Sequence, residues 1–391
     1  MPSHKEVEPL KQMCFMLLAK DIHKICVKME LDHYSKCVNK EDLKRLISEL
    51  PFIFVEQTIS KVIETIHKTV ERSRRSIGLQ TCLEVLLQPH ISRLDLSGLF
   101  FKMRLPVHIN TTIRNIVGQN IILMKNLTYI NLVSKCDDEI LLAISENCKN
   151  ILDIVINISD LVTDKGIKYI AKGCEYLERL EIYKCWGISI EGVKSALIHL
   201  KNLKELHYDN LGNVFLYHLK NIQKVFNLNH FEQTCQPFEP STEEAIWVGK
   251  ICPFIESVRL TIDDEFLFCL PSLGTLSEVL HQSHITLIGE MCKQLTSFHL
   301  VTATIDEDMY LKNNGDYFRN LSSLHLQIWK ESSVRVECID FFLLWCQKLS
   351  FIVIKAQMEF FTDSYLQRIL LKNPLTNATK FLSPRKVSNG S

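Results

Sequence analysis

The sequence repeats itself at intervals of 24 to 28 residues, and this periodicity limits the chain to folds built from stacked units. The repeat is clearest from Cys174 to Cys185, which reads C-x-x-L-x-x-L-x-I-x-x-C, and we take its first leucine as the anchor. The frame has anchors at Ile91, Leu127, Ile151, Leu177, Leu203, Leu228, Ile255, Leu295, Leu321 and Leu349. Two longer gaps indicate insertions after the first and seventh repeats. A unit of this size cannot bury its apolar face alone, so neighbouring repeats must share a core.

One position of the frame accounts for many of the 14 cysteines. The residue three before the anchor is Cys148, Cys174, Cys252, Cys292 or Cys346 in five repeats, and Met124, Leu200, Val225 or Phe318 in four others. A position that accepts these residue types is a buried apolar slot, where a thiol behaves as a small hydrophobic group. No C-x-x-C pair occurs, and stacking separates the thiols along the array. We therefore predict core packing rather than metal ligation.

Each repeat combines two periodicities. Its first half alternates as a strand does, and the half that follows has helical spacing, as at Ile167 and Ile170. Thr163 or Asp164 is placed to cap this helix. The pattern resembles the cysteine-containing leucine-rich repeats of F-box/leucine-rich-repeat proteins and of the antagonist-of-mitotic-exit-network family, over about residues 91–373. That resemblance implies an α/β leucine-rich-repeat solenoid, a horseshoe like ribonuclease inhibitor, with parallel strands inside and helices outside.

The two ends of the chain do not follow the repeat. Residues 1–90 read as helices at about 8–29, 40–49, 55–75 and 78–87, which we predict to cap the exposed edge of the first strand. The repeat array then covers 91–373, and the polar tail at 374–391 is expected to be disordered. Within the array, Ser241 to Glu244 has capping-box spacing for a helix that runs to about Ile251.

Composition argues against several classes of function. The 45 basic and 45 acidic residues cancel, whereas a nucleic-acid partner requires clustered Lys and Arg. No apolar run is long enough to span a membrane, and the run from Met13 to Ala19 is too short for a signal peptide, so we expect a cytoplasmic and/or nuclear protein without a membrane partner. No phosphate-loop, metalloprotease or serine-nucleophile motif occurs, and His281 and His284 lack a nearby acidic or thiol ligand. We expect no catalytic residue, no metal and no cofactor.

A short motif near the N-terminus points to a partner. Pro9, Leu10, Cys14 and Leu18 resemble the Elongin C-binding box of von Hippel-Lindau-box proteins. The spacing of four places the last three on one helix face, where a leucine can enter a groove of the partner. The order along the chain also resembles the Zyg-type leucine-rich substrate receptors, in which an Elongin C-binding box is followed by a short helical region and then by the repeats. The alternative is that these side chains only pack the cap onto the first repeat.

In those relatives a cullin-selecting box follows. Leu50 and Pro51 begin such a box here, but Thr58 stands where an apolar residue is expected, which leaves the choice of cullin open. The resemblance implies Elongin C and a cullin, or another ligase adaptor, as partners. It assigns adaptor binding to Leu10, Cys14, Leu18, Leu50 and Pro51.

The strands offer a second surface. Side chains alternate along a strand, so those at the anchor and three and five residues later point to the core, and the intervening ones point to the concave face. The row four residues after the anchors reads Asp95, Asn131, Val155, Glu181, His207, Glu232, Arg259, His299, His325 and Val353, flanked by Arg93, Tyr129, Asp153, Arg179, Tyr183, Asp209 and Lys355. Mixed charges with Tyr and Arg suit a protein partner. A nucleic-acid groove would be mostly basic and a lipid pocket mostly apolar. The alternative is a row that is merely solvated.

These features together predict a protein-binding subunit rather than an enzyme. The leading hypothesis is the substrate-recognition subunit of a cullin-RING E3 ubiquitin ligase, which holds its protein target on the concave face and docks the ligase through residues 1–90. The alternative is a ligase-independent leucine-rich-repeat scaffold. An N-terminal helix that presents its box to a partner favours the first, and one that serves only as a cap favours the second.

Overall fold

The computed structural model is an α/β protein that divides into two compact units, Met1–Leu203 and Lys204–Ser391. It describes residues 7–31, 39–69, 78–101, 105–220, 222–233, 242–261, 279–280, 292–302, 304–305, 318–328, 346, 348–355 and 378–379. In this part of the chain no helix is both long and apolar enough to cross a membrane.

The first unit opens with the four predicted helices: α1 (Val7–Leu31), α2 (Lys40–Ser48), α3 (Phe52–Thr69) and α4 (Leu79–Leu86). The side chain of Asn39 caps α2 by accepting the Glu41 N–H. The third helix begins three residues earlier than predicted, because the Pro51 carbonyl already accepts the Phe54 N–H at 2.9 Å. Residues 70–75, predicted to extend that helix, lie outside the described residues.

Helix α1 packs against α3 and α4. Phe15, Ala19, Ile22 and Cys26 recur at helical spacing and are buried, which gives α1 one apolar face toward its neighbours. At its far end the Glu30 carboxylate accepts the N–H groups of Gly78 at 2.7 Å and Thr81 at 3.2 Å. A carboxylate at the first turn of α4 satisfies N–H groups that the helix itself leaves unpaired.

Helix α3 contacts the backbone at the start of the first strand through Glu56. One oxygen of Glu56 accepts the N–H of Ser92 at 2.7 Å, its hydroxyl at 2.9 Å, and the N–H of Arg93 at 2.8 Å. An edge strand otherwise presents unpaired backbone groups to which another chain can pair. Glu56 therefore closes this end of the first unit's sheet.

The rest of the first unit alternates strands and helices at the predicted period. The strands are β1 (Arg93–Asp95), β2 (Tyr129–Asn131), β3 (Asp153–Val155) and β4 (Arg179–Glu181); the helices are α5 (Gly98–Phe101), α6 (Val107–Ile121), α7 (Asp138–Asn147), α8 (Asp164–Gly173) and α9 (Ile190–His199). Neighbouring strands pair in parallel, with Arg93 opposite Tyr129, Tyr129 opposite Asp153, and Asp153 opposite Arg179. Each pair joins residues two positions after their anchors, so the frame read from the sequence predicts the register.

Successive helices of the first unit are linked by a recurring aspartate. Asp138 accepts the N–H of Thr163 at 2.8 Å and the N–H of Gly166 at 3.1 Å, so the start of one helix binds the start of the next. Asp164 makes the same contact one repeat later, with the N–H and hydroxyl of Ser189. Thr163 is therefore the residue that caps α8, accepting the Lys165 N–H at 3.2 Å. A Cβ on Gly166 would lie 2.4 Å from the Asp138 carboxylate, which explains a glycine there.

The second unit continues the frame. Its strands are β5 (Glu205–His207), β6 (His230–Gln233), β7 (Ser257–Thr261), β8 (Val279–Leu280), β9 (Ser297–Thr302), β10 (Thr304–Ile305), β11 (Ser323–Ile328), β12 (Phe351–Lys355) and β13 (Ala378–Thr379). Its described helices are α10 (Leu211–Asn213), a π-helix (Val214–Leu219) and α11 (Thr242–Ile251), the last where the capping box predicts it. A parallel sheet runs in the order β6-β7-β9-β11-β12-β13, and β8 pairs with β10.

The core confirms the frame with one correction. All ten anchors are buried, and so are the slot residues Cys148, Cys174, Cys252, Cys292 and Cys346. The slot prediction is wrong at Val225, which is 55% exposed, while its neighbour Phe226 is buried. No turn is present in residues 222–229, and exposed and buried side chains alternate from Val225 to Leu228, so Phe226 points inward together with Leu228. The Phe226 ring contacts Phe215, with centroids 5.6 Å apart.

Two residues of the tail are described. Ala378 and Thr379 form β13, which pairs in parallel with Phe351 and Ile352 of β12, and the remainder of 374–391, predicted to be disordered, lies outside the described residues. The open edge of β12 offers backbone partners that composition does not reveal. The predicted boundary at residue 90 and the horseshoe shape stay predictions.

Candidate partner-binding surfaces

An apolar surface lies open at the start of α1 and α3. Met13 is 59% exposed and Leu17 60% exposed, and Cys14 lies exposed between them. The rings of Phe15 and Phe54 are 5.4 Å apart, which brings the first turn of α3 beside this part of α1. The exposed apolar side chains, which we call the α1–α3 surface, are Met13, Cys14, Met16, Leu17, Phe52, Ile53 and Phe54.

The residues predicted for adaptor binding fall in or beside this surface. Leu10 lies in α1 one turn before Cys14, but its side chain lies outside the described residues. Leu18 is partly exposed, and so is Leu50, while Pro51 is exposed just before α3. The prediction that Cys14 belongs to a partner-facing helix side is consistent with its exposure, whereas the alternative, packing onto the first repeat, would bury it.

Thr58 shows why the cullin-box pattern breaks at this position. Its side chain is 1% exposed, so the position belongs to the core. Its hydroxyl donates to the Phe54 carbonyl at 2.7 Å, one turn earlier in α3. A buried hydroxyl satisfied within its own helix replaces the expected apolar side chain at little cost.

In the first unit, the predicted strand face begins with an Arg–Tyr contact. The Arg93 guanidinium lies 4.1 Å from the centroid of the Tyr129 ring, in cation–π geometry. Asn131 donates to the Tyr129 hydroxyl at 3.3 Å. Partial burial raises the pKa of Tyr129 above its ordinary value, so the phenol remains protonated and able to donate at neutral pH. Asp95, at the end of the same strand as Arg93, is exposed.

The face continues with a cluster of charges around Arg179. This arginine contacts Asp153 at 3.1 Å and forms an ion pair with Glu181. Asn157, one of the polar residues after β3, donates to Glu181 at 2.9 Å and accepts the Tyr183 N–H at 2.8 Å. Partial burial raises the pKa of Asp153, although Arg179 opposes that shift. The face is therefore ordered by mutual contacts before any partner arrives.

Three members of the predicted row are not open to solvent. Val155, Glu232 and Val353 are 4%, 2% and 7% exposed. Side chains in one row stand only about 4.8 Å apart across a sheet, so long neighbours cover short ones. Glu232 differs from the two valines, because a buried carboxylate requires hydrogen-bonding or charged partners.

The partners of Glu232 form a polar cluster in the second unit. Its Oε2 lies 3.0 Å from His207 Nδ1 and 3.3 Å from His230 Nε2, and its Oε1 lies 3.4 Å from Arg259 Nε. The two imidazole rings are 4.7 Å apart. Sequence analysis placed three of these residues on the strand face but missed His230, and it predicted no metal site. The signal was in the register: His207 and Glu232 hold the same position of adjacent repeats, and His230 lies two residues before Glu232.

Further along the same unit, the row continues with a histidine pair. His299 lies opposite His325 in the β9–β11 pairing, and their rings stack with centroids 4.1 Å apart. Arg259 is exposed, and Asp209 is partly exposed after β5. The predicted strand-face residues thus lie on described strands or directly after them, and their role in binding stays a prediction.

Comparison with known proteins adds little beyond the fold. No model of a known protein family matches the sequence, and no curated protein matches it. Among solved structures, the chain resembles the crystal structure of the Rad7 and Elc1 complex in yeast, with a TM-score of 0.49 and 13% identity, over 96% of this chain and 95% of that one. It also resembles the TLR13–ssRNA13 complex, with a TM-score of 0.32 and 12% identity, over 84% of this chain and 54% of that one. Likeness at this level says nothing of what this chain binds, so the function is inferred from its own geometry.

Proposed function

We propose that this chain is a non-enzymatic substrate-recognition subunit of a cullin-RING ubiquitin ligase, docked through Elongin C at the α1–α3 surface. The observation that carries the proposal is the exposure of Met13, Cys14 and Leu17 on a helix whose other face is buried. A helix that served only as a cap would have no reason to keep this second apolar face. Contiguous exposed apolar side chains mark interaction sites in soluble proteins.

The energetics of this surface suit a helix-in-groove contact. Complete burial of a leucine contributes about 1.5–3 kcal/mol, so covering the 60% of Leu17 that is exposed contributes about 1–2 kcal/mol. Met13, four residues earlier, offers a similar amount. Replacing Leu17 by glutamate removes this gain and buries a charge, which we expect to weaken binding by at least about 30-fold, or about 2 kcal/mol.

The experiment measures binding of purified Elongin B–Elongin C complex to the full chain by calorimetry. The test variant is Leu17→Glu, and the matched control is Leu31→Glu, since Leu31 is 63% exposed at the opposite end of α1. Circular dichroism verifies that both variants fold. The wild type and the control should bind with equal affinity, and the test variant should bind at least about 30-fold more weakly. Absence of binding by the wild type, or equal binding by all three, would falsify adaptor docking and leave the scaffold function.

The target-binding half of the proposal rests on the strand face of the first unit. Arg93 and Asp95 are exposed at its beginning, beside the Arg93–Tyr129 contact. Arg93→Glu should remove a defined protein from the set that co-purifies with the chain. Lys168→Glu makes the same charge change at an exposed position of α8 and should not remove this protein. If both variants retain the same proteins as the wild type, the strand face does not bind the target.

A further inference from the structure

We propose that His207, His230 and Glu232 form a binding site for a zinc-like divalent cation on the strands of the second unit. Each residue offers one ligand atom, and these atoms lie within 4.8 Å of one another. Two imidazoles and a carboxylate are a ligand set that zinc adopts in proteins. The proposal concerns contacts within the second unit and does not depend on adaptor docking by the first.

The spacing of the ligand atoms fits zinc. Glu232 Oε2 lies 3.0 Å from His207 Nδ1 and 3.3 Å from His230 Nε2. Zinc forms bonds of about 2.0–2.2 Å to nitrogen and oxygen, so two ligands of a tetrahedral ion lie about 3.3 Å apart. The two distances from Glu232 therefore match the separation of two ligands on one ion.

The opposite nitrogen of each ring has a partner that orients it. His207 Nε2 lies 3.4 Å from a carboxylate oxygen of Glu205, and His230 Nδ1 lies 3.1 Å from the Ser257 hydroxyl. An ionised carboxylate only accepts, so with an ion on Nδ1 the proton of a neutral His207 stands on Nε2, where Glu205 can accept it. Metal-binding histidines usually have such an outer partner, which fixes the tautomer and the ring orientation.

Charge favours a cation at this point. Two carboxylates, Glu205 and Glu232, face one guanidinium, that of Arg259, which contacts Glu232 through the other oxygen at 3.4 Å. A ring nitrogen lone pair and a carboxylate oxygen repel each other at 3.0 Å unless a positive charge lies between them. A proton or a metal ion can supply this positive charge, and a metal ion can bind both rings and the carboxylate at once. Three protein ligands leave one position of the ion for water or for a donor from a bound protein.

The test titrates the metal-free full chain with Zn²⁺ by calorimetry and with Co²⁺ by visible absorption. We expect one site per chain, weakened at least about 100-fold in His230→Gln, since loss of an outer partner alone costs 10–100-fold. Glu205→Gln should weaken binding about 10-fold for that reason. His218→Gln is the control, because His218 is exposed in the π-helix away from the cluster residues.

The outcomes separate a metal site from a network held by a proton. Zn²⁺ should raise the unfolding temperature of the wild type and of His218→Gln, but not that of His230→Gln. His207→Gln serves as the second ligand variant should circular dichroism show that His230→Gln does not fold. If the wild type binds no stoichiometric Zn²⁺, or if a folded ligand variant binds it as tightly as the wild type, the cluster is a proton-linked network and the proposal is wrong.

Discussion

Replacing Glu56 by alanine should destabilise the first unit by opening the edge that α3 closes. One oxygen of this carboxylate accepts three hydrogen bonds, two from the N–H groups of Ser92 and Arg93 and one from the Ser92 hydroxyl, at 2.7–2.9 Å. Hydrogen bonds to a charged acceptor contribute about 1.5–3 kcal/mol each, but they are not additive. Water can reach this edge, since the Arg93 side chain is exposed, and it replaces part of the loss. We expect a decrease of about 2–3 kcal/mol in the free energy of unfolding.

The assay is urea denaturation followed by circular dichroism, combined with hydrogen exchange. Because the chain has two units, exchange of the Ser92 and Arg93 amides is needed to assign the loss to the first. Glu56→Gln retains an accepting oxygen without the charge and should lose only about 1 kcal/mol. Glu146→Ala, at an exposed position of α7, should stay within about 0.5 kcal/mol of the wild type. The capping role of Glu56 is refuted if its alanine variant is no less stable than Glu146→Ala, or if the two amides stay as protected as in the wild type.

Four further substitutions test the repeat itself. Gly166→Ala should cost about 1–3 kcal/mol in urea denaturation, because its Cβ would displace the Asp138 carboxylate that links two helices; an unchanged midpoint would contradict this. Burial raises the pKa of Cys174 from 9.0 to about 12, so the unfolded chain loses this proton first and stability falls as pH rises above about 9. Between pH 8 and pH 10 the wild type should lose about 1.4 kcal/mol more than Cys174→Ala, and equal losses would exclude the linkage. Phe226→Ala should lower the free energy of unfolding by about 3–5 kcal/mol and Val225→Ala by less than about 0.5 kcal/mol. The reverse order would show that Val225 fills the buried slot, as the sequence predicts.

Much of the fold could be read from the sequence because the repeat frame is local and is repeated. Each anchor fixes which side chains of the following strand point to the core, and stacking then makes adjacent strands pair at equal distances from their anchors. The parallel register between Arg93 and Tyr129, and again between Ser257 and Ser297, follows from that frame. The anchor Leu228 is also buried, although Gln233 stands where the frame places an apolar residue, and its strand pairs as the frame requires. Helix capping by Thr163 is equally local, since it depends on residues two apart.

The sequence also identified the start of α1 as a candidate docking helix, but it could not decide which of its side chains are exposed. Periodicity places Cys14 and Leu18 on related faces, and only the contact of α1 with α3 distinguishes them. Phe15 is buried beside Phe54, and this packing leaves Cys14 exposed and Leu18 partly covered. The surface that we propose for the adaptor thus depends on how two helices distant in sequence pack together.

Tertiary structure alone decided the chemistry of the second unit. A single histidine or glutamate in a strand does not reveal its partners, because His207 meets His230 and Glu232 only when adjacent repeats stack in register. Glu232 is buried and bridges His207 to His230 because three side chains from two strands converge at one point. The exposure of Val225 likewise depends on a segment that lacks the turn found at this point in other repeats. Periodic spacing predicts the strands and their register in the described repeats, whereas side chains that meet across repeats acquire their burial, charge and partners only when the repeats stack.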